Sequence, residues 1–172
     1  MTLAAVTGRF QPVHAQHLEL FALALAEHDH LVVAVTNPDT AARHVAATST
    51  HRHTDDANPF TYFERLQLLT AALAGAGMAE RTTVVPFDLT RPEVWAEYVP
   101  RDAVHYVRAY SAWEKDKAER LADGGYGVVV VEGDPATKLD AATIRARFGD
   151  GTWAELVPPA TVPVLTGLLE RR

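Results

Sequence analysis

The chain has 172 residues, a formal net charge of −6 and a hydrophobic fraction of 48%. This length is enough for a substantial core, so we expect residues 1–172 to form a single domain. The acidic balance argues against broad nucleic-acid binding, because affinity for a phosphate backbone comes from clustered lysine and arginine. Cysteine is absent, which excludes disulfides, thiolate catalysis and cysteine zinc sites.

The sequence offers no sign of a membrane or secretion signal. Its apolar runs are too short to span a bilayer, and its first residues lack the basic, apolar and small-residue regions of a signal peptide. We therefore expect a cytoplasmic protein with no membrane partner, and a homo-oligomer is left open.

Five short apolar runs predict β-strands that alternate with segments of helical periodicity. The predicted strands are 3–6, 31–36, 82–86, 103–107 and 127–131, and the predicted helices are 17–26, 61–74, 111–121, 140–148 and 159–169. This alternation predicts an α/β fold, a doubly wound Rossmann-like parallel sheet with helices on both faces and a C-terminal helical segment. The continuous valines of the last strand favour burial on both faces.

The turn between the first strand and the first helix carries the most informative residues. Gly8 lets the backbone pass close to a ligand, and the amides and dipole of the following helix point at the turn, which favours an anion. His14 and His17 are three residues apart and share one face of the first helical turn. Their imidazoles could donate to phosphate oxygens and stabilise a leaving pyrophosphate. A metal pair is the alternative, but no third ligand at a matching spacing is evident.

This segment resembles the HxGH signature of the nucleotidyltransferase superfamily. The longer string Gly-Arg-Phe-Gln-Pro-x-His, at 8–14, resembles archaeal-type nicotinamide mononucleotide adenylyltransferases. Further similarities follow in the same order: 58–65 resembles that family's Asp-Pro-Phe-Thr-x-x-Glu-Arg helix start, 88–95 its acceptor loop, and 143–145 the end of its Ser-x-Thr-x-x-Arg motif. The resemblance implies an enzyme that moves a nucleoside monophosphate from a triphosphate, ATP or CTP, onto a phosphate or phosphonate acceptor with release of pyrophosphate.

The resemblance also implies roles for individual residues. The catalytic residues would be His14, His17 and Arg145, which stabilise charge on the triphosphate, and Mg²⁺ would be the cofactor, with no metal ligand assigned to the chain. The nucleotide-binding residues would be Gly8, Arg9, Phe10, Gln16, Tyr110, Ser111, Lys138, Asp140, Thr143 and Arg147. No general base is required, because the second pKa of a phosphate is about 6.

Several residues depart from the family pattern. Gln16 replaces the glycine between the two histidines, and Asp140 and Ala142 replace a serine and a threonine in the late motif. Asp140 is suited either to capping the helix that follows or to holding magnesium against the phosphates. Ala112 and Trp113 replace the glycine and asparagine of the nucleotide loop.

The polar stretch 37–57 is longer than an ordinary connection in a compact domain. It is either a solvated flap or a cationic lid that closes over an anionic acceptor. The candidate acceptor-binding residues are Arg43, His51, Arg52 and His53 in this insertion, with Arg65, Asp88 and Trp95 outside it.

Some of the conspicuous residues also have a purely structural interpretation. By its place in the resembled family Trp95 would stack on a nicotinamide ring, although it could equally be a core residue. Arg65 could simply be solvated. Thr61 with Glu64, and Ser111 with Glu114, have the spacing of capping boxes, which needs no ligand.

Three functions remain open. Nicotinamide mononucleotide adenylyltransferase activity is slightly favoured by the opening motif, the helix start at 60–65 and Trp95. The altered nucleotide loop and the basic insertion favour a CTP-dependent cytidylyltransferase for a small phosphonate such as phosphonoformate. The altered late motif favours a nucleotide sensor without enzymatic activity.

Overall fold

The computed structural model describes residues 1–45 and 47–172; Ala46, inside the 37–57 insertion, lies outside the described residues. The strands form one parallel sheet in the order β3-β2-β1-β4-β5. Their bounds are Leu3–Gly8 (β1), His30–Val35 (β2), Thr82–Pro86 (β3), Val104–Ala109 (β4) and Gly127–Glu132 (β5). The predicted α/β fold class is confirmed.

Among the described residues, five helices lie close to the five predicted positions, with shifts at their first turns, and a sixth, short helix follows β3. Their bounds are Ala15–Glu27 (α1), Tyr62–Gly75 (α2), Trp95–Tyr98 (α3), Ala112–Asp123 (α4), Ala141–Ala146 (α5) and Val162–Glu170 (α6). α1 begins two residues earlier than predicted, because His14 in extended backbone is its N-cap. α6 begins later, because Pro159–Thr161 forms a separate 3₁₀ turn. Within the described residues no helix has the length and apolarity needed to cross a membrane.

Two apolar cores pack on opposite faces of the sheet. Phe21 of α1, Leu68 of α2 and Leu165 of α6 belong to the larger core, and all three are fully buried. Trp95 of α3 and Leu121 of α4 belong to the smaller core on the other face. Burial of each such side chain contributes about 1.5–3 kcal/mol, so the helices are held to the sheet mainly by these contacts.

The strand β5 departs from its prediction. It pairs with β4 alone and forms an edge of the sheet, and its Val129 and Val130 are 39% and 47% exposed. The expectation that its valines are covered on both faces was therefore wrong. A continuous valine run indicates a strand, but the number of its neighbours depends on strand order, which the run does not encode.

A crevice opens between β1 and β4 at their carboxyl ends. β1 forms six residue pairs with β2 but only two with β4, which end at Ala5 and His105. Beyond that point the carbonyl of Thr7 accepts a hydrogen bond from Nζ of Lys117 at 3.2 Å. From this place the strand order proceeds to β2 and β3 on one side and to β5 on the other, although all strands point the same way. Ligand crevices of doubly wound sheets lie at such a reversal of strand order.

Candidate active site

A cavity of about 150 Å³ lies in this crevice. The β1–α1 turn, α4, the loop after β5 and one residue of the insertion form its walls. The charged residues on the walls are Arg9, Arg52, Arg108, Lys117, Lys138, Glu114 and Asp140. Five cations against two carboxylates make the cavity positive in a protein whose net charge is −6. The cavity is therefore suited to an anion with several charges.

His14 and His17 form a stacked pair on the cavity wall. Their ring centroids lie 3.7 Å apart with planes 15° from parallel. The backbone N–H of His14 donates to Nδ1 of His17 at 3.0 Å, so Nε2 carries the proton of the neutral His17 ring. Phe10 packs edge-on against His17 with centroids 4.8 Å apart. The orientation of His17 and the position of its proton are thus set before any ligand binds.

Burial favours the neutral form of both imidazoles. It lowers the pKa of His14 to about 4 and the pKa of His17 well below its usual value, and the charge of Lys138 acts in the same direction on both. A neutral imidazole can donate one hydrogen bond. A phosphate at the cavity would favour the charged form of either ring, because an opposite charge stabilises it.

Two crowded cations lie beside the histidines. Burial, together with the charges of Arg52 and Arg145, lowers the pKa of Arg9 to about 9. Burial and the charge of Arg52 likewise lower the pKa of Lys117 to about 8. Repulsion between such crowded cations costs free energy, and a bound anion would relieve it.

The insertion packs onto this site. Residues 47–52 line a second cavity of about 320 Å³ together with Ser111, Trp113 and Asp140. Arg9, Arg52, Lys138 and Asp140 line both cavities. The structure thus places Arg52 and His51 at the site, as the lid interpretation expects.

The other two insertion candidates lie elsewhere. Arg43 forms an ion pair with Asp55 at 2.8 Å and lines a separate cavity of about 590 Å³, which shares no lining residue with the two cavities at the crevice. Nδ1 of His53 is buried without a hydrogen-bond partner among the described residues, and His53 lines neither cavity at the crevice.

Arg65 is a buried clamp rather than a solvated or ligand-facing residue. Only 1% of it is exposed, and its guanidinium donates to the carbonyls of Arg9, Thr36, Asn37 and Thr61 at 2.7–3.3 Å. These bonds fix the opening motif to the end of β2 and to the start of α2. Four of its five N–H donors thus bond to backbone carbonyls, and Arg65 lines neither cavity at the crevice.

Trp95 is a core residue. It is 1% exposed, stacks on Phe87 with centroids 5.5 Å apart, and donates through Nε1 to the carbonyl of Asp88 at 2.8 Å. The carboxylate of Asp88 accepts from the backbone and hydroxyl of Thr90. An acceptor ring therefore cannot stack on Trp95 as expected, because the smaller core covers the indole ring.

The late motif is only partly at the site. Arg145 donates to the carbonyl of Gln11 at 2.9 Å and lines the 590 Å³ cavity, so the structure does not bring it to the wall beside the histidines. The carboxylate of Asp140 accepts a hydrogen bond from the backbone N–H of Ala142 at 3.0 Å and so caps α5. Asp140 also lines both cavities at the crevice. The exposed Thr143 and the half-buried Arg147 line neither of these two cavities.

Gln16 joins the first helix to the loop after β5. Its Nε2 donates to the carbonyl of Thr137 at 2.7 Å, and its Oε1 accepts from the N–H of Leu139 at 2.7 Å and from the hydroxyl of Tyr110 at 3.2 Å. Lys138 lies between the two bonded loop residues and is held on the cavity wall. The departure from glycine thus orders a loop that supplies a cation to the site.

Thr7, Arg108 and Lys117 line the cavity but were not singled out from the sequence, and Glu114 was expected only as part of a capping box. Glu114 accepts a hydrogen bond from the Ser111 hydroxyl and pairs with Lys138 at 3.5 Å. The predicted capping box at Ser111 is therefore replaced by a side-chain contact, whereas the box at Thr61 and Glu64 is confirmed. Glu114 and Lys117 could have been found as charges on the apolar face of α4.

Fold and cavity together define the class: an α/β enzyme with an anion site at the switch point of its sheet, as expected of a nucleotidyltransferase. Residues 5–149 match the cytidylyltransferase-like family, and the chain belongs to that family. The predicted nucleotidyltransferase class is confirmed.

Two relatives align with this chain over most of its length and most of their own. Phosphonoformate cytidylyltransferase from Streptomyces viridochromogenes is 36% identical over 163 residues, which cover 93% of this chain and 88% of the relative. Nicotinamide-nucleotide adenylyltransferase from Halobacterium salinarum is 32% identical over 170 residues, which cover 96% and 86%.

Solved structures agree on the fold. A putative nicotinate-nucleotide adenylyltransferase from Vibrio parahaemolyticus has a TM-score of 0.60 at 15% identity and covers 96% of this chain and 99% of its own. A bifunctional NMN adenylyltransferase/ADP ribose pyrophosphatase from Francisella tularensis has a TM-score of 0.64 at 15% identity over 91% of this chain. The alignment spans 44% of that bifunctional chain.

Proposed function

We propose that the protein transfers CMP from CTP onto a small phosphonate such as phosphonoformate and releases pyrophosphate. The sequence alone slightly favoured nicotinamide mononucleotide as the acceptor. That preference depended partly on Trp95, which is buried, and the identity to a phosphonoformate cytidylyltransferase, 36%, exceeds the 32% to the adenylyltransferase from Halobacterium.

The second cavity at the crevice is the observation that carries this proposal. Arg9, Arg52 and Lys138 line it, and Arg52 comes from the insertion. Trp113 also lies on its wall, but the Arg52 guanidinium covers its ring at 4.4 Å from the centroid. A compact anion without a ribose or a ring needs cationic coverage more than it needs an aromatic platform.

In the proposed reaction a phosphonate oxygen attacks the α-phosphorus of CTP in line as the bond to the pyrophosphate oxygen breaks. The acceptor is already ionised, so the protein supplies position and charge rather than a base. Nε2 of His17 donates to the developing charge, beside His14. Lys117 and Lys138 hold the polyphosphate, and Arg9 and Arg52 hold the acceptor.

Arg145 is assigned to the β and γ phosphates. It donates to the carbonyl of Gln11, a residue on the wall of the 150 Å³ cavity, and would join the site by exchanging that bond for one to a phosphate oxygen. Tyr110, Ser111 and Gln16 are assigned to the nucleoside side, next to the loop that Gln16 holds.

A magnesium ion fits this site when it is bound mainly through the nucleotide. The described residues contain no cluster of three or more histidine, aspartate or glutamate side chains that would form a cage. Asp140 is the carboxylate that would hold Mg²⁺, because Mg²⁺ commonly takes one or two carboxylates together with substrate phosphates and water. When bound, the ion neutralises charge on the phosphate oxygens.

The test combines each of CTP and ATP with each of phosphonoformate and nicotinamide mononucleotide, and measures pyrophosphate release and product mass. We expect one pyrophosphate for each CMP–phosphonoformate formed, in the CTP and phosphonoformate mixture. Transfer of AMP to nicotinamide mononucleotide alone would instead establish the adenylyltransferase. Tight nucleotide binding without pyrophosphate release in any mixture would establish the sensor.

A further inference from the structure

Arg52 is held at the junction of the two cavities by contacts at both its ends. Its backbone carbonyl accepts from Nδ2 of Asn58 at 2.7 Å and from Nδ2 of Asn37 at 3.0 Å. Its guanidinium lies 4.4 Å from the centroid of the Trp113 ring. Both the start and the end of this side chain are therefore fixed by residues outside the segment 47–52.

The asparagine pair is itself firmly anchored. Asn37 donates to Oδ1 of Asn58 at 3.2 Å, and Asn58, which is 4% exposed, also donates to the carbonyl of Thr54 at 2.7 Å. Arg65 donates to the carbonyl of Asn37 at 2.8 Å. The two amides close the base of the insertion and connect it to the clamp under the opening motif.

The guanidinium of Arg52 has an unused hydrogen-bond donor. Its Nε is buried without a hydrogen-bond partner among the described residues. Asp140 and Glu114 are the nearby carboxylates, and each is already engaged, Asp140 in capping α5 and Glu114 with the Ser111 hydroxyl. An anionic ligand at the junction would supply the missing acceptor.

We propose that Asn58 and Trp113 are positioning residues for acceptor specificity: Asn58, with Asn37, fixes the backbone of Arg52, and Trp113 fixes its guanidinium over the junction of the cavities. This inference rests on the proposed function, because it assigns Arg52 to the anionic acceptor. The insertion then contributes one cation, the guanidinium of Arg52, which is already held in place. The conformational entropy of this side chain is therefore lost before the acceptor binds and does not weaken binding.

The test is a thermodynamic cycle between Asn58→Ala and Arg52→Ala. Asn58→Ala removes one of the two hydrogen bonds to the Arg52 carbonyl, together with the bonds of Asn58 to Thr54 and Asn37. It should raise the KM for the acceptor by about tenfold, with kcat and the KM for the triphosphate within about twofold. Arg52→Ala should raise the same KM on the order of thirtyfold. In the Arg52→Ala background, Asn58→Ala should then add little, because its effect acts through Arg52.

The matched pair at Trp113 separates positioning from packing. Trp113→Phe keeps an aromatic face for the guanidinium and should stay within about threefold of the wild-type acceptor KM, whereas Trp113→Leu should raise it by about tenfold. Isothermal titration with phosphonoformate in the presence of a non-hydrolysable CTP analogue measures the same cycle without turnover.

Equal losses in kcat and in both KM values, or an undiminished Asn58→Ala effect without Arg52, would overturn the positioning role. Equal effects of Trp113→Phe and Trp113→Leu would remove Trp113 from it. Failure of the proposed function is distinct: if the wild-type protein uses only nicotinamide mononucleotide, the cycle is measured with that acceptor. If phosphonoformate neither reacts nor binds, the assignment of Arg52 to a compact phosphonate is wrong.

Discussion

At the residue scale, the spacing of His14 and His17 predicted their shared face, and the structure adds their stacking at 3.7 Å and the bond that fixes the His17 ring. Lys117 was missed because a lysine on a helix is most often solvated, and its approach to Thr7 depends on the divergence of β1 from β4. Trp95 was misplaced for a related reason, since an aromatic residue suits a core as well as a binding site.

His17→Ala should lower kcat by about a hundredfold or more while the fold stays intact. The reason is the loss of one donor that is already oriented towards the developing charge. Steady-state pyrophosphate release measures the effect, and circular dichroism checks the fold. His30→Ala, on β2 outside the cavity, is the control and should retain wild-type turnover. Near wild-type kcat in His17→Ala would refute the role.

Lys117 should give an alkaline limb in the pH profile of kcat/KM for the triphosphate. The ammonium is charged below its lowered pKa of about 8, and attraction for the polyphosphate is lost as the pH rises through that value. Lys117→Met should have a lower kcat/KM, by roughly ten- to a hundredfold, with the limb at pH 8 removed. A limb at pH 8 that persists unchanged in Lys117→Met would assign it to another group.

At the scale of elements, the strands and helices followed from apolar periodicity, whereas the connections between them did not. The insertion could be recognised by its length and polarity, but its path depends on the amides of Asn37 and Asn58, which no short-range pattern singles out. The role of Arg65 as a buried clamp likewise depends on the fold, which brings the opening motif, the end of β2 and the start of α2 together around its guanidinium.

Arg65→Met should lower the free energy of unfolding by about 3 kcal/mol, because four backbone carbonyls lose a charged donor in or near the core. Urea unfolding at neutral pH measures the change. Arg172→Ala, which removes an exposed ion pair with Glu64, is the matched control and should change it by less than about 1 kcal/mol. An Arg65→Met protein of wild-type stability with a raised acceptor KM would restore the acceptor role.

At the scale of the whole molecule, the alternation of elements determined the fold class, and the crevice followed from it. What could not be predicted is the strand order, and with it the exposure of β5 and the separation of β1 from β4. These features arise from packing on both faces of the sheet, where no local pattern distinguishes an edge strand from a central one.

Stability should fall as the pH drops below about 6.5, partly because buried His105 stays neutral in the folded protein. Burial lowers its pKa to about 3, and both ring nitrogens lack partners among the described residues. Between these pH values only the unfolded chain takes up the proton, so unfolding is favoured by about 1.4 kcal/mol per pH unit for this group.

His105→Phe should therefore lose about 2 kcal/mol less than the wild-type protein between pH 7.5 and pH 5. Urea unfolding of both proteins at the two pH values measures the difference, and the comparison at pH 7.5 accounts for any change in packing. Parallel losses in the two proteins would show that His105 does not set this dependence.

On the proposed function, the crevice between β1 and β4 holds the reacting triphosphate against the two histidines. A crystal structure with a non-hydrolysable CTP analogue tests this placement. We expect a phosphate oxygen within hydrogen-bond distance of Nε2 of His17, with Lys117 and Lys138 on the same polyphosphate. A nucleotide bound instead in the 590 Å³ cavity beside Arg43 and Arg172, with the crevice empty, would contradict it.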